Sequence, residues 1–366
     1  MEDFTFFDSP SSDDDEAARR RERRAEAKRQ RELECKEHSR RIFVACSAAA
    51  LLAAVLLGCF AYTRYQHKDD IVPEAPVFNT DPLPAPAATE EPAAIPVSTD
   101  DTILLSDEID SQYAIVMDLT NNVILAEKDP HAVISPASMT KVLTLLVAAE
   151  HVEDLDDTFT MTIDITDYAY VNDCSVVGLM VGETVSVREL LYGTILPSGA
   201  DAALGLAAYV SGSHEAFVEL MNEKLDELGL SETAYFTNCV GLYHEDHKCT
   251  VQDMALIMRA AMENELCREV LKARVYETLP TEDHPDGQIL SNWFLRRIED
   301  KDNGDIEVVG AKTGYVTESG SCAVSAGEDS SGNRYIIATG DAAGSWKCIY
   351  DHVKLYHDYC AENENS

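Results

Sequence analysis

The stretch Ser135-Pro-Ala-Ser-Met-Thr-Lys141 opens a long apolar run, Val142-Leu-Thr-Leu-Leu-Val-Ala-Ala149. Ser135 is a favourable N-cap residue, and Pro136 suits the first helical position, where a missing N–H costs nothing. A run that is apolar on most faces is typical of a helix buried on all sides. The sequence therefore predicts a central buried helix that begins at Ser135.

Ser138 and Lys141 lie three residues apart, which places them on one face of this helix. A serine hydroxyl is a weak nucleophile until a base takes its proton, and a lysine amine is such a base only when neutral. The helix N-terminus and a second nearby cation would both lower the pKa of the lysine. The first turn also leaves the N–H of Ser138 free to bind an oxyanion. The pattern predicts a nucleophile, Ser138, and its base, Lys141.

The chain as a whole is strongly acidic. Its 366 residues include 66 acidic and 29 basic side chains, and the formal net charge is −37. Proteins that bind nucleic acid need a basic surface, so this balance argues against a nucleic-acid partner. The hydrophobic content of 45% is that of a chain with a real core, and the length suits one large domain with tails.

The N-terminal region predicts a membrane anchor. Residues 1–41 form a charged cytoplasmic tail with a basic run from Arg19 to Arg41, and residues 42–63 carry no charge. At about 1.5 Å per residue, this uncharged segment is long enough to cross a bilayer once. The basic residues before it predict a cytoplasmic N-terminus and an external remainder. The basic run either contacts anionic lipid heads or forms a solvated helix of mixed charge.

Two processing alternatives remain for the uncharged segment. A cleavable signal peptide would be removed, although such peptides normally have a much shorter charged lead. Leu56-Leu-Gly-Cys59 is also loosely similar to a lipoprotein processing site, which would make Cys59 the lipidated residue. A retained anchor is the interpretation that best fits the long charged tail.

Composition divides the rest of the chain into a spacer, a folded domain and a tail. Residues 64–102 are rich in Pro, Ala and acids, which is typical of an extended linker. Residues 103–360 are predicted to fold, and residues 361–366 form a tail. Strand patterns enclose a helical middle, which indicates an α+β domain with an all-helical lobe. The predicted strands are 113–118, 123–127, 307–309, 321–325 and 335–339; the helices are 187–192, 201–209, 214–229, 251–263 and 345–359; residues 158–187 are short strand and loop.

Cysteine and histidine patterns predict no further site. Seven cysteines follow the anchor, an odd count without tight spacing, which argues against a disulfide framework. A Cys239–Cys249 bridge is compatible with the short loop between them, but buried free thiols are the commoner state. His244, Asp246 and His247 have no accompanying ligand pattern, so a solvated loop is predicted rather than a metal site.

A second polar stretch, Leu196-Pro-Ser-Gly-Ala-Asp201, falls in a predicted loop between two apolar helices. A serine held at such a turn can pass a proton between a nucleophile, a lysine and a leaving amine. Ser198 is therefore a candidate for proton relay.

A third stretch, Val309-Gly-Ala-Lys-Thr-Gly-Tyr315, follows a strand pattern. On an edge strand, Lys312 offers a positive charge and Thr313 a hydroxyl. Gly314 allows a ligand close to the backbone. The N–H of Tyr315 can act as a second oxyanion donor opposite that of Ser138.

The order Ser-x-x-Lys, Ser-Gly-x, Lys-Thr-Gly resembles the signature of penicillin-binding proteins and serine β-lactamases. The chain is most similar to low-molecular-weight penicillin-binding proteins that act as serine-type D-alanyl-D-alanine carboxypeptidases. The resemblance runs from about Tyr113 to Tyr359. It implies a β-lactamase/transpeptidase-like fold, an antiparallel sheet flanked by helices, in a protein of the bacterial cell membrane. The segments that carry it are 136–141, 190–193, 197–203, 217–222, 238–242, 253–255 and 310–315.

The same resemblance implies roles for the residues. Ser138 would attack the carbonyl between the two terminal D-alanines of a peptidoglycan stem peptide, with Lys141 as its base. Ser198 would relay the proton to the departing D-alanine. Lys312 and Thr313 would bind the terminal carboxylate, and water would release the acyl-enzyme. β-Lactam antibiotics would acylate the same serine, and no cofactor or metal is implied.

The sequence departs from the family pattern at several positions. Ala200 stands where the second motif usually ends in asparagine, and Val316 where a threonine is common. Lys347 lies roughly where the family places a cation before the final helix. The chain stops at Ser366, so the family's C-terminal β-rich domain and amphipathic anchor are expected to be missing, with anchoring moved to the N-terminus.

Two rival functions remain. A class A β-lactamase would need a glutamate aimed at the deacylating water in a Glu-x-x-Leu-Asn-like loop, and the sequence from Glu232 to Phe236 does not supply that pattern. A catalytically impaired wall-binding or sensing protein is the other alternative, because Ala200 replaces the usual asparagine.

Overall fold

The computed structural model describes residues 95–361. The predicted charged tail, the anchor at 42–63 and most of the linker lie outside the described residues, as do residues 362–366. Within residues 95–361, no helix has the length and apolar character needed to span a bilayer. The first strand begins at Val97, earlier than the domain start expected near residue 103.

A six-stranded sheet lies at the centre of the described domain. Its strands are β1 (Val97–Leu104), β2 (Tyr113–Asp118), β3 (Val123–Lys128), β8 (Glu307–Val316), β9 (Gly320–Glu328) and β10 (Arg334–Ala342). Their order in the sheet is β1-β3-β2-β10-β9-β8. Four of the five pairings are antiparallel, as predicted, and the fifth, between β1 and β3, is parallel, so the sheet is mixed. The chain reverses direction after β1 and again after β2, and β3 therefore returns parallel to β1.

Two small two-stranded sheets and a set of helices complete the described part. One sheet pairs β4 (Thr158–Thr160) with β5 (Thr184–Ser186), and the other pairs β6 (Val275–Glu277) with β7 (Ile289–Ser291), both antiparallel. The helices are α1 (Lys141–His151), α2 (Ile163–Val171), α3 (Val187–Ile195), α4 (Ala200–Ser211), α5 (His214–Glu227), α6 (Val251–Glu263), α7 (Glu265–Lys272), α8 (Trp293–Ile298) and α9 (Ser345–Leu355), which continues into a π-helical turn (Tyr356–Cys360).

Helix α2 corrects the prediction of only strand and loop at 158–187. Its buried residues, Ile165 and Ala169, are four positions apart on one helical face. This four-residue spacing was the only signal of a helix in the sequence. Two apolar positions in a short polar segment are too few to establish a helical periodicity.

Alternation along β2 builds a core on each face of the sheet. Ile115 and Met117 belong to a core shared with the helical lobe, and Ala114 and Val116 belong to a second core with α8 and α9. Successive residues of a strand point to opposite faces, so a continuous apolar run covers both sides of a fully buried strand. The prediction of an α+β domain with a helical lobe is confirmed.

The central helix begins later than predicted. Residues Ala137–Thr140 form a 3₁₀ turn, and α1 starts at Lys141. Ser135 is not the N-cap, because its hydroxyl oxygen is buried with no hydrogen-bond partner among the described residues. Ala137 has a φ of 45°, a left-handed conformation that interrupts the helical path. Ser138 therefore lies on a tight turn directly before the buried helix.

Candidate active site

The structure brings the Ser138 hydroxyl and the Lys141 amine together. Lys141 Nζ donates to Ser138 Oγ at 3.2 Å and to the carbonyl oxygen of Val240 at 2.6 Å. Lys141 is only 2% exposed. Burial lowers the pKa of Lys141 from 10.5 to about 8, because a charged amine is poorly solvated there. Burial is thus the main cause of the lowered pKa of Lys141, whereas the sequence suggested the helix N-terminus and a second cation.

Asn238 holds the carbonyl that binds this amine. Its Oδ1 accepts hydrogen bonds from the N–H groups of Val240, Gly241 and Leu242, at 3.2, 2.7 and 3.0 Å. Its Nδ2 donates to the carbonyl of Leu242 at 2.9 Å. Asn238 is buried. The loop is therefore folded around one side chain, a role not predicted from the sequence, where the only signals were an asparagine and a glycine three residues further on.

Gly241 packs directly against the turn that carries Ser138. Its φ is +84°, and a Cβ at this position would lie 1.9 Å from the carbonyl oxygen of Ala137 and 2.8 Å from the N–H nitrogen of Ser138. Both the left-handed backbone and the lack of space favour glycine here. The position of the nucleophile thus depends on the 238–242 loop.

Replacing Gly241 by alanine is expected to slow acylation of Ser138 by about 100-fold, because displacements of about 1 Å cost that much. Gly212→Ala is the matched control: Gly212 also has a positive φ, +82°, but no atom lies within 4 Å of a Cβ built there. Both variants should lose about 1 kcal/mol from left-handed strain. Labelling rates with a fluorescent penicillin and urea unfolding measure the two effects. Equal labelling rates would show that the contact with Ala137 is unimportant.

Ser198 and Lys312 form a second polar pair. Lys312 Nζ donates to Ser198 Oγ at 2.9 Å and to the carbonyl of Thr313 at 2.8 Å. Ser198 has a φ of 64°, an uncommon conformation that aims its side chain from the loop between α3 and α4. Among the described groups, no hydrogen bond joins Ser198 to Ser138. Burial, and then the charge of Lys141, lower the pKa of Lys312 well below its usual value.

Strand β8 lies against the turn of the nucleophile. A Cβ at Gly314 would come within 2.7 Å of Cys322 Sγ, 2.9 Å of the Pro136 carbonyl oxygen and 3.0 Å of Ala137 Cβ. The missing side chain therefore makes room for the turn that carries Ser138, and not for a ligand as predicted from the sequence. Because β8 is an edge of the sheet, its outer backbone groups can pair with an extended peptide.

One cavity of about 570 Å³ joins these groups. Lys141 does not itself line the cavity, but it donates to Ser138, which does. Within the described part of the chain, no carboxylate lines the cavity, although the chain is strongly acidic. The predicted residues on its wall are Ser138, Ser198, Lys312, Thr313, Gly314 and Tyr315; polar and aromatic residues that the sequence analysis missed are Ser175, Asn292, Trp293, Arg297, Ser321 and Ser345.

Asp201, in the first turn of α4, binds the segment that follows Ser175 of the cavity wall. Its carboxylate accepts hydrogen bonds from three consecutive N–H groups, those of residues 177–179. The N–H of Ala200 donates to the carbonyl of Ser175 at 2.8 Å. Ala200, at the position where the family usually has asparagine, is fully buried. The loop is thus held by the Asp201 carboxylate and by backbone hydrogen bonds, none of which needs a side chain at position 200.

The histidines of the 244–247 loop differ from one another. His244 and Asp246 are exposed, as predicted, but His247 is buried. His247 Nδ1 accepts from the N–H of Thr237 at 3.0 Å, and Nε2 lies 2.8 Å from Thr140 Oγ1. Burial lowers the pKa of His247 to about 3, so the ring is a neutral structural link. The described residues contain no group of His, Cys, Asp and Glu that suits a metal.

Cys239, Cys249 and Lys347 lie apart from the catalytic groups on the cavity wall. Cys239 and Cys249 are buried free thiols rather than a disulfide. Lys347, considered for its position before the last helix, pairs with Asp110 at 2.6 Å and does not line the cavity.

The fold belongs to the class of penicillin-binding DD-peptidases. An alanine variant of the Streptomyces K15 DD-transpeptidase superposes with a TM-score of 0.63 at 26% identity, covering 69% of this chain and 99% of that one. The D-alanyl-D-alanine carboxypeptidase of Mycobacterium tuberculosis H37Rv gives a TM-score of 0.61 at 26% identity. The superposition covers 72% of this chain and 96% of that one.

Residues 99–343 match the Peptidase S11 model, described as D-alanyl-D-alanine carboxypeptidase, and the chain belongs to this family. The D-alanyl-D-alanine carboxypeptidase DacF of Bacillus subtilis is 32% identical over 156 residues, 43% of this chain and 40% of that protein. The D-alanyl-D-alanine carboxypeptidase of Streptomyces strain K15 is 32% identical over 216 residues, which cover 56% of this chain and 71% of that enzyme. The match thus spans about two fifths of DacF and about two thirds of the Streptomyces enzyme.

Proposed function

We propose that this protein is a serine D-alanyl-D-alanine carboxypeptidase that removes the terminal D-alanine from peptidoglycan stem peptides. The observation that carries the proposal is the buried Lys141 amine, 3.2 Å from Ser138 Oγ and with its pKa lowered to about 8. A base with a pKa close to ambient pH is well matched to taking a proton from a nucleophile. Family membership supplies the substrate class.

Acylation begins with transfer of the Ser138 hydroxyl proton to the neutral Lys141 amine. The serine oxygen attacks the carbonyl carbon of the bond between the two D-alanines, and a tetrahedral oxyanion forms. The N–H groups of Ser138 and Tyr315 would stabilise its negative charge. Both residues line the cavity, Ser138 from the turn at 137–140 and Tyr315 from strand β8, which supports this role.

Collapse of this intermediate breaks the C–N bond and needs a proton on the departing amine. Ser198 Oγ already accepts a hydrogen bond from Lys312, which leaves its own proton available for the leaving D-alanine. That proton is restored to Ser198 from Lys141. Water then attacks the ester, with Lys141 again taking a proton, and the shortened peptide leaves with Ser138 regenerated.

The substrate's C-terminal end would lie beside Lys312 and Thr313 on the cavity wall. The outer edge of β8, from Gly314 to Tyr315, would pair with the extended peptide backbone. β-Lactams carry a carboxylate beside a strained amide, so they would acylate Ser138 by the same route.

The anchor belongs to the same proposal. The uncharged segment at 42–63 follows a basic run, and both features are typical of a single membrane span with its N-terminus inside. Fractionation of cells that produce the full chain, with protease added outside, tests this arrangement. Loss of the 103–360 domain to the protease with the N-terminal tail protected is the expected result, and a full-length soluble protein is the contrary one.

Incubation of the full chain with a pentapeptide that ends in D-Ala-D-Ala tests the activity. Mass spectrometry should show loss of one alanine, and an enzymatic assay should detect free D-alanine. Penicillin labelling without D-alanine release would contradict a carboxypeptidase, and rapid hydrolysis of the β-lactam would then favour a β-lactamase. No labelling at all would favour a wall-binding protein without catalysis.

A further inference from the structure

A second cavity lies apart from the catalytic one, towards the opposite ends of strands β8 and β9. Its volume is about 240 Å³, and residues of helices α6 and α7 and of strands β8, β9 and β10 line it. Strand β9 contributes Cys322 to the catalytic cavity and Ala326 to this one, which places these two residues about 13 Å apart along the strand. In the described part of the chain, the two cavities share no lining residue. The second cavity can therefore hold a ligand independently of catalysis.

Cations predominate on the wall of this second cavity, which we call the cationic cavity. Four basic side chains and one carboxylate line it, an excess of three positive charges: Arg259 on α6, Arg268 and Lys272 on α7, Arg334 on β10 and Glu328 on β9. The formal net charge of the chain is −37, so this excess has the opposite sign to the charge of the whole protein. Like charges at close range repel one another, and a bound anion would relieve that repulsion.

Three of these cations have donors available for a ligand. Within residues 95–361, no carboxylate lies within 4.0 Å of the side-chain nitrogens of Arg268, Lys272 or Arg334. Arg268 Nη1 donates to the carbonyl of Met262 at 3.0 Å, which holds the guanidinium at the wall and leaves its other N–H groups for a ligand. Arg268 and Lys272 are four positions apart, so they share one face of α7.

An adjoining groove, which shares Lys272 with the cationic cavity, shows the alternative in which protein carboxylates neutralise a cation. Arg274 lies in that groove and not on the wall of the cationic cavity. It pairs with Glu299 at 3.2 Å and with Glu307 at 3.8 Å. The excess of positive charge therefore belongs to the cationic cavity and not to the groove beside it.

The rest of the cationic cavity is largely apolar. Met262, Val309, Ala326 and Ile336 line it, and all four are buried or half-buried. An apolar cavity of about 150 Å³ is large enough to bind benzene. The volume of about 240 Å³ therefore has room for a small apolar group together with an anionic head that reaches the cations.

We infer that the cationic cavity binds an organic phosphate monoester. The phosphate lies among Arg268, Lys272 and Arg334, and its carbon group lies against the apolar part of the wall. A phosphate monoester carries a charge of about −1.5 to −2 at pH 7, which matches an excess of three positive charges better than the single charge of a carboxylate. Its terminal oxygens accept paired, charge-assisted hydrogen bonds from arginine. This site is additional to D-alanine release and does not depend on it.

Calorimetric titration of the full chain, in a neutral detergent, with phenyl phosphate tests the inference. Binding should saturate at one site and be at least about tenfold tighter than that of inorganic phosphate, because the ring leaves water for an apolar wall. Arg334→Gln should weaken phenyl phosphate binding by about tenfold or more, because a charged hydrogen-bond donor is lost. Arg334→Lys should recover part of that loss. Arg334 is exposed, so both variants should fold, and urea unfolding checks this.

Two controls remove the same charge from other places. Arg274→Gln changes the adjoining groove, and Arg297→Gln changes the catalytic cavity. Both variants should bind phenyl phosphate as tightly as the wild-type chain. The inference is wrong if the wild-type chain shows no saturable binding, or if phenyl phosphate and inorganic phosphate bind equally. It is also wrong if Arg297→Gln loses the binding and Arg334→Gln keeps it, since the anion would then occupy the catalytic cavity.

Short-chain lipids distinguish two sources of such a phosphate. Displacement of phenyl phosphate by dihexanoyl phosphatidic acid, a monoester, would identify a lipid headgroup as a ligand of the cationic cavity. Binding of phenyl phosphate that this lipid does not displace would indicate a soluble organic phosphate. Dihexanoyl phosphatidylcholine has no net charge and should not compete. Equal displacement by both lipids would contradict recognition of the phosphate charge.

Discussion

Replacement of Ser138 by alanine is expected to abolish D-alanine release and covalent labelling by penicillin. No other hydroxyl on the described cavity wall is bonded to the Lys141 amine, so no other group can take over as nucleophile. Removal of a nucleophile typically costs at least about 10³-fold in rate. A fluorescent penicillin gel and the pentapeptide assay measure the two losses separately.

Ser135→Ala is a suitable control for that variant. Ser135 lies three residues before the nucleophile, and its buried hydroxyl oxygen has no partner among the described residues. Removal of an unsatisfied polar group is neutral or stabilising, so this variant should keep full activity and equal or higher stability to urea. A labelled band that persists in Ser138→Ala, or disappears in Ser135→Ala, would contradict the assignment of the nucleophile.

Acylation is expected to accelerate as pH rises towards about 8, the lowered pKa of Lys141. Only the neutral amine can accept the serine proton. Below the pKa, the neutral fraction rises tenfold with each pH unit, and above it the rate becomes constant. Stopped-flow labelling with penicillin from about pH 6 to about pH 9 should show this profile. The Asp201 carboxylate favours the charged amine and opposes the shift, whereas burial raises the pKa values of the Cys174 and Cys239 thiols, which therefore stay neutral through this pH range.

Two lysine variants separate the base from other sources of pH dependence. Lys141→Met keeps an unbranched side chain, one atom shorter and without an amine, and should lose about 10³-fold in acylation rate, with no remaining inflection near pH 8. Lys347→Met removes a lysine that pairs with Asp110 outside the cavity and should keep the wild-type profile. A flat profile in the wild-type chain, or the same inflection in Lys141→Met, would show that another group controls acylation.

The charge of the catalytic cavity wall is opposite in sign to the net charge of the whole protein. The formal net charge of −37 belongs to the chain, but the described cavity wall carries two cations and no carboxylate. A substrate with a C-terminal carboxylate is therefore attracted at short range. Because charges separated by more than about 10 Å are screened at moderate salt, the distant acidic residues do not prevent this attraction.

The sequence alone was sufficient for features that depend on neighbours along the chain. The three-residue spacing of Ser138 and Lys141 places them in contact, because successive turns bring such residues together. The hairpin of β2 and β3 and the strand that carries Lys312 follow from apolar patterns and turn residues. These interactions are local, so the order of residues is enough to predict them.

Only the tertiary structure decided how the groups act. The pKa of Lys141 falls because the amine is buried, and burial depends on elements distant in sequence, including the carbonyl of Val240. The parallel pairing of β1, the role of Asn238 and the position of Arg297 between two tryptophans also depend on distant segments. Local sequence patterns do not determine which distant surfaces pack together. Water is excluded from the Lys141 amine only after those surfaces have packed.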